Sequence, residues 1–352
     1  IMKKYLYILT FLLLLVISIY ILFGNNSFQN AMVERIFKGN LEAANDFFKN
    51  ADENRLDIFF CGSGSPLSRD AEGAQCIAFI IGTDIYIIDA GQDSSRKLSS
   101  AFPPSLIKAV FLTHAHSDHM ADLDELNFMR WVAGSREPLN VYGSSEILNV
   151  VNGLNLAYQN DENYRVDHHG EDFVNREGRL MIPNVHQPSN NPQTIYVDEN
   201  ITVESFLVDH FPVKEAIGFR ISFGDKLIIV SGDTEISENV FSLVDGSNIL
   251  IHDGMIKAHV LLLEKAASEM QSRLDIAFHD ILDYHADVKD IKENLSDKDL
   301  DLLIINHLVP PKNPIGNRYI NDLFSDTTYD FLLAQDEDII SLSKGSNEIT
   351  IK

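Results

Sequence analysis

The stretch "FLTHAHSDHMADL", residues 111–123, gathers His114, His116, Asp118, His119 and Asp122 directly behind an apolar run. Imidazole and carboxylate are the donors that Zn²⁺ prefers, at ~2.0–2.2 Å. In an extended chain, residues two apart point the same way, so His114 and His116 can serve one ion together. Asp118 and His119 come after the chain turns and can face a second ion. More polar residues of this kind end other apolar runs: His210 after "ITVESFLVD", Asp233 after "KLIIVSG" and His307 after "LDLLIIN". A lone histidine at a strand end is most often only a polar terminus. Four such places, one of them His-x-His-x-Asp-His, point instead to a metal centre. A carboxylate such as Asp233 could bridge two ions ~3.5–4 Å apart, an arrangement that clamps attacking and leaving oxygens.

These residues need strands that end at one rim. From residue 56 the sequence alternates apolar strand-like runs with turns and helical stretches. "LDIFFCGSGSP" reads as a strand entering a Gly-rich turn. "QCIAFIIGTDIYIIDAG" reads as two strands joined at Gly82-Thr83-Asp84. "IKAVFLT" delivers the histidine cluster, and "DLDELNFMRWV" follows as a helix. "PLNVYG", "ITVESFLVDH", "AIGFRISFG", "DKLIIVSGDT", "SNILIHDG" and "LDLLIINH" supply further strands. Loops at strand ends are where α/β scaffolds carry binding groups. The Gly62–Gly64 turn lacks the Gly-Lys-Ser/Thr ending of a phosphate-binding loop, so no nucleotide P-loop is read there.

The chain has 352 residues, 45% of them hydrophobic, enough for a large core. Its 28 Lys and Arg face 52 Asp and Glu, a net charge of −24. That excess of acid argues against a polyanionic partner, since phosphate backbones are held by Lys and Arg. It therefore makes nucleic acid an unexpected partner and a small anionic ester, drawn to a local metal, the expected substrate. Residues 5–23, "YLYILTFLLLLVISIYILF", follow Lys3 and Lys4. A helix rising ~1.5 Å per residue could just cross a ~30 Å hydrocarbon core with them. The reading is a signal anchor or signal peptide over residues 1–27, then an amphipathic juxtamembrane helical segment over 28–55. The large globular domain would occupy 56–352. The lysines predict an enzyme held at the membrane by its N-terminal helix, with the catalytic domain outside the cytoplasm, or secreted if the segment is cleaved.

The joint pattern resembles the metallo-β-lactamase-fold hydrolases, in the branch of ribonuclease Z and the metallo-type arylsulfatases. "CGSGSPLSR", "YIIDAG", "FLTHAHSDHMADL", "RWVAGSREPLNVYG", "DHFPVKEAIGFRI", "SGDTEISENV", "DYHADVKDI" and "INHLVPP" carry the resemblance, over about residues 56–312. It implies an α/β fold, an αββα sandwich of two mixed β-sheets with outer helices. It implies two zinc ions, the first on His114, His116 and His210, the second on Asp118, His119 and His307, with Asp233 between them. A bridging hydroxide would be the nucleophile, and His285 would assist proton transfer. Asp118 and His285 are thus the expected catalytic residues. Asp89 and His252 are candidates to support zinc-bound histidines from behind, which such histidines require.

Two features depart from ribonuclease Z. Its tRNA-gripping arm lies between the metal histidine and the aspartate of "SGDT", whereas His210 and Asp233 are separated here by little more than two strands and the turn Gly224-Asp225. The N-terminal segment also looks like an export signal. Both favour an arylsulfatase-like ester hydrolase acting on a sulfate ester or phosphodiester. Ribonuclease Z-type tRNA 3′ processing is the first alternative, and a membrane-tethered metal-binding or sensing protein without turnover the second. A homodimer is compatible with the resemblance. His168, His169 and His186 sit in a polar stretch that could cover the metals, though solvated surface suits each of them better. Cys61 and Cys76 could form a disulfide or stay as two buried thiols.

Overall fold

A computed structural model describes residues 23–66, 68 and 72–352. The chain divides into two compact units, residues 1–51 and 52–352. In the first, Asn26–Asn50 form one helix, capped by the Asn25 side chain, which accepts from the amides of Ser27 and Phe28. The expected membrane anchor, on which the placement of the catalytic domain outside the cytoplasm rests, finds no support among the described residues. Among the described residues no helix is long and apolar enough to cross a membrane. The Asn26–Asn50 helix carries Glu34, Arg35 and Lys38 in its first half, and charge is costly inside hydrocarbon. The apolar run itself, except Phe23, lies outside the described residues.

The second unit holds fifteen described strands: β1 (Arg55–Gly62), β2 (Cys76–Ile81), β3 (Asp84–Ile88), β4 (Ile107–Phe111), β5 (Leu139–Gly143), β6 (Met181–Val185), β7 (Gln193–Val197), β8 (Thr202–Leu207), β9 (Ile217–Phe223), β10 (Lys226–Val230), β11 (Ser247–Met255), β12 (Leu300–Val309), β13 (Asp330–Leu333), β14 (Ile339–Ser343) and β15 (Ile349–Ile351). They form two sheets. One runs β15-β14-β1-β2-β3-β4-β5-β6, the other β13-β12-β11-β10-β9-β8-β7. Both are mixed. β3 through β6 pair parallel while β1, β2 and β14 pair antiparallel. In the other sheet β10 to β13 are parallel and β7 to β10 antiparallel.

Alternation along the strands explains the layering. Leu56, Ile58 and Phe60 of β1, and Ile77, Phe79 and Ile81 of β2, send every second side chain to one face. There they meet Phe219, Ile221 and Phe223 of β9 and Ile249 and Ile251 of β11, forming the core between the sheets. The opposite faces of β10 to β12 (Ile229, Leu250, Leu303, Ile305) pack against outer-helix residues, including Val288, Ile291, Ile320 and Phe324. Strands covered on both sides lose polar alternation and become the long apolar runs seen in the sequence.

The two cysteines are joined, Cys61 at the end of β1 to Cys76 at the start of β2. The bridge closes the Gly-rich loop 62–75. A brace holds that loop from the far end of the chain. Asp336 accepts from the Ser63 amide and hydroxyl (2.8 and 2.6 Å) and from the Gly73 amide (2.7 Å), and pairs with Lys97. The buried Lys312 donates to Ser63 Oγ (2.6 Å) and to the Ala334 carbonyl (2.8 Å).

Candidate metal centre

Strand β4 ends at Phe111, and a short helix, Ser117–Met120, starts six residues later. Between them the chain bends at Thr113 and brings His114 and His116 together, and the helical turn that follows carries Asp118 and His119. His210 follows β8 in a bridge with Val213, Asp233 follows β10, and His307 sits within β12. These segments meet around a cavity of about 160 Å³, whose lining includes His116, Asp118, His210, Asp233, His285 and His307.

The seven expected ligand residues fall into two sets. His114 Nε2 and His210 Nε2 stand 2.9 and 3.3 Å from His116 Nδ1. In the second set His119 Nε2 lies 3.2 Å from Asp233 Oδ2 and 3.5 Å from Asp118 Oδ2. His307 Nε2 lies 3.0 Å from Asp118 Oδ2 and 3.5 Å from Asp233 Oδ2. Four donors placed tetrahedrally at ~2.0–2.1 Å from one ion stand roughly 3.3 Å apart, so the second set has the dimensions of a zinc shell. Asp233 Oδ1 is buried with no hydrogen-bond partner, a costly state that a cation would relieve. The donor sets fit divalent ions of the zinc kind.

Charge tells the same story. Burial pushes the His114 and His210 imidazoles down, so both offer neutral nitrogens. His210 Nδ1 donates to the Tyr284 carbonyl (3.0 Å), which frees its Nε2 lone pair for the cavity. Burial also opposes charge on His119 and His307, but Asp233 beside both, with Asp89 and Asp118, outweighs it and raises them. Against the pull of burial, the same histidines hold Asp118 and Asp233 well below the usual carboxylate range. A bound ion would take over the positive charge that these carboxylates favour, displacing any proton from the imidazole nitrogens it uses.

Asp89 holds this set from behind. His119 Nδ1 donates to its Oδ2 at 2.8 Å, and Thr113 donates to it through amide and hydroxyl. The residue adopts φ 60°, a strained backbone for anything but glycine. Gly91 lets the loop come close: a Cβ there would sit 2.1 Å from the Asp118 carbonyl oxygen. Replacing Asp89 by asparagine is expected to weaken zinc affinity ~10–100-fold while leaving the fold intact, as competition with a chelating indicator would read. An unchanged affinity would reduce Asp89 to a loop anchor.

His285, 6% exposed, also reaches the cavity. Its Nδ1 lies 2.7 Å from Asp253 Oδ2. The sequence pointed to His252 as a partner for a metal histidine. It lies instead against Asp253, 2.8 Å from the carbonyl and 2.9 Å from Oδ1. Asp253 was not singled out, although "IHDG" carries a carboxylate at the end of a strand. Burial alone would raise Asp253, but His252 and His285 together hold it ionised. His168 and His169 are exposed, and His186 pairs with Ser205 (2.7 Å). None of the three is among the cavity's described lining.

A family model described as Anti-Pycsar protein Apyc1 matches residues 56–274, more than half of the chain. The chain belongs to this family. The Apyc1-family chain is similar to ribonuclease Z of Mycobacterium sp. (strain KMS), 26% identical over 265 residues, 74% of this chain and 86% of the relative. It is similar to ribonuclease Z of Mycobacterium bovis (strain BCG / Pasteur 1173P2) at 27% over 266 residues, covering 74% and 88%. Among solved structures it shares the fold of the metallo-β-lactamase-fold protein YhfI from Bacillus subtilis (TM-score 0.60, 16% identity, 82% of this chain and 100% of that one). It shares it also with the short form of human tRNase Z (TM-score 0.56, 16%, 82% and 100%). The Apyc1-family chain is a metallo-β-lactamase-fold hydrolase related to ribonuclease Z.

Two expectations are corrected by these relatives. Nucleic acid was set aside as a partner on net charge, yet the curated relatives named here are ribonucleases. The total of −24 sums over the whole surface and says little about one cleft, where bound ions would add positive charge that the sequence does not count. The exported, membrane-held enzyme likewise finds no support in them. The arylsulfatase-like reading gains nothing here, and its ribonuclease Z alternative gains most.

Proposed function

We propose that this protein is a zinc-dependent phosphodiester hydrolase of the ribonuclease Z type, cutting a phosphodiester in RNA. The observation that carries the reading is the meeting, in one cavity, of two donor sets with a histidine–carboxylate pair. His114, His116 and His210 would hold one ion, Asp118, His119 and His307 a second, and Asp233 would lie between them. Divalent ions of the zinc kind would polarise a phosphoryl oxygen and bring the pKa of bound water to ~7. His285 lines the same cavity, with Nδ1 committed to Asp253, so Nε2 is its free atom for proton exchange. Asp253 stabilises the imidazolium and fixes its orientation, and Nε2 delivers the proton to the leaving oxygen.

A second reading is hydrolysis of a short nucleotide diester. It is favoured by the compact connection from His210 to Asp233, which holds little beyond β9, the Gly224-Asp225 turn and β10. The RNA-gripping arm of ribonuclease Z belongs at that place. The test is parallel turnover, by the zinc-loaded chain, of a precursor tRNA, a dinucleotide, bis(p-nitrophenyl) phosphate and p-nitrophenyl sulfate. Cleavage of the diesters with an inert sulfate ester is expected. Cleavage of the sulfate ester alone would overturn both readings, and efficient dinucleotide cleavage with intact tRNA would select the second.

A further inference from the structure

A phosphate entering this cavity meets an acidic wall. Asp118 and Asp233 line it, and among its described lining residues there is no lysine or arginine. Ions can take two of the phosphate's oxygens. The rest must find protein donors, because an anion moved out of water keeps its hydrogen bonds or loses binding. Apart from the imidazoles, two side chains of the described lining carry an O–H: Ser65 and Tyr284.

Both hydroxyls lack partners. Ser65 is 3% exposed, and its Oγ makes no hydrogen bond although it is buried. Buried hydroxyls are nearly always satisfied, so one left open beside a reaction site asks for a ligand. Its position is held firmly: the Ser65 carbonyl accepts from the Ser68 amide (2.9 Å), and the brace of Asp336 and Lys312 pins Ser63, two residues earlier. The Tyr284 hydroxyl has no hydrogen bond among the described residues either. Its ring stands edge-on to the His210 ring at 5.2 Å and tilted against the His285 ring at 4.8 Å. It therefore stands beside both a candidate ligand and the proton-transfer histidine, which the scissile phosphate must approach.

We infer that the hydroxyls of Ser65 and Tyr284 form the anion cradle of this site, each donating a hydrogen bond to a non-bridging oxygen of the substrate's phosphate. This rests on the phosphodiesterase reading and deepens it. The cradle supplies directional donors where the described lining holds no guanidinium or ammonium. A hydrogen bond to a charged group carries enough energy for a tenfold or larger effect on binding.

The test uses the zinc-loaded full chain and its Ser65→Ala, Tyr284→Phe and doubly substituted variants. Phenylalanine keeps the ring against His210 and removes only the hydroxyl, so a packing role would leave no trace. Three quantities are read: metal content, the dissociation constant for inorganic phosphate by calorimetry, and kcat/KM for bis(p-nitrophenyl) phosphate. Full metal content is expected throughout. Phosphate binding should weaken about tenfold in each single variant and about a hundredfold in the double, with kcat/KM falling in step. Phosphate binding within twofold of the parent in both single variants would overturn the cradle, and so would loss of metal, since the hydroxyls would then serve the ions. If phosphate binding weakens as expected while the parent cleaves no diester, the cradle stands and the phosphodiesterase reading falls. If the parent cleaves diesters and the variants bind phosphate normally, the reverse holds.

Discussion

Asp233→Ala is expected to cost the protein at least one bound ion and to slow phosphodiester hydrolysis by on the order of a thousandfold. Asp233 is 3% exposed, its Oδ2 faces both His119 and His307, and its Oδ1 has no other partner. Removing it leaves two buried imidazoles that its charge now raises, with only Asp118 and Asp89 near them. A cation would lose a charged donor in a place that water cannot easily fill. Metal ions stabilise developing phosphoryl charge by several kcal/mol, and ~4 kcal/mol is a factor near a thousand in rate. Metal analysis of the purified variant beside its turnover decides the matter. A full complement of ions with normal rates would show that Asp233 does not hold metal.

Much of this site was legible because its donors are packed into motifs. His114 to His119 fall within six residues, and strand-end residues such as His210 and Asp233 announce themselves by following apolar runs. The run before Asp233 is long because β10 is covered on both faces. Partnerships across the chain were not legible. Asp253 and His285 are 32 residues apart, and only β11 and the turn before the Val288–Asn294 helix bring them together. The brace from Ser63 to Asp336 spans 273 residues. Such pairs leave no local spacing to read. Net charge misled for the opposite reason: it adds up residues that never face the substrate.

The Asp253–His285 pair gives the last expected result. His285→Ala should leave the ions in place and lower turnover by ~10²–10⁴, the usual worth of a positioned acid or base. Asp253→Asn should lose a large part of the same factor, since the amide can no longer stabilise an imidazolium at 2.7 Å. The two losses should not add: once His285 is gone, Asp253 has no proton to steer, so the double variant should match His285→Ala. The leaving group provides the sharper discrimination. An alkoxide, as in RNA, must take a proton as it departs, whereas p-nitrophenolate needs none. The deficit of His285→Ala should therefore be full on a dinucleotide and shrink towards unity on bis(p-nitrophenyl) phosphate. An equal deficit on both substrates would mean that His285 shapes the cavity without moving a proton, and additive losses would separate Asp253 from the chemistry altogether.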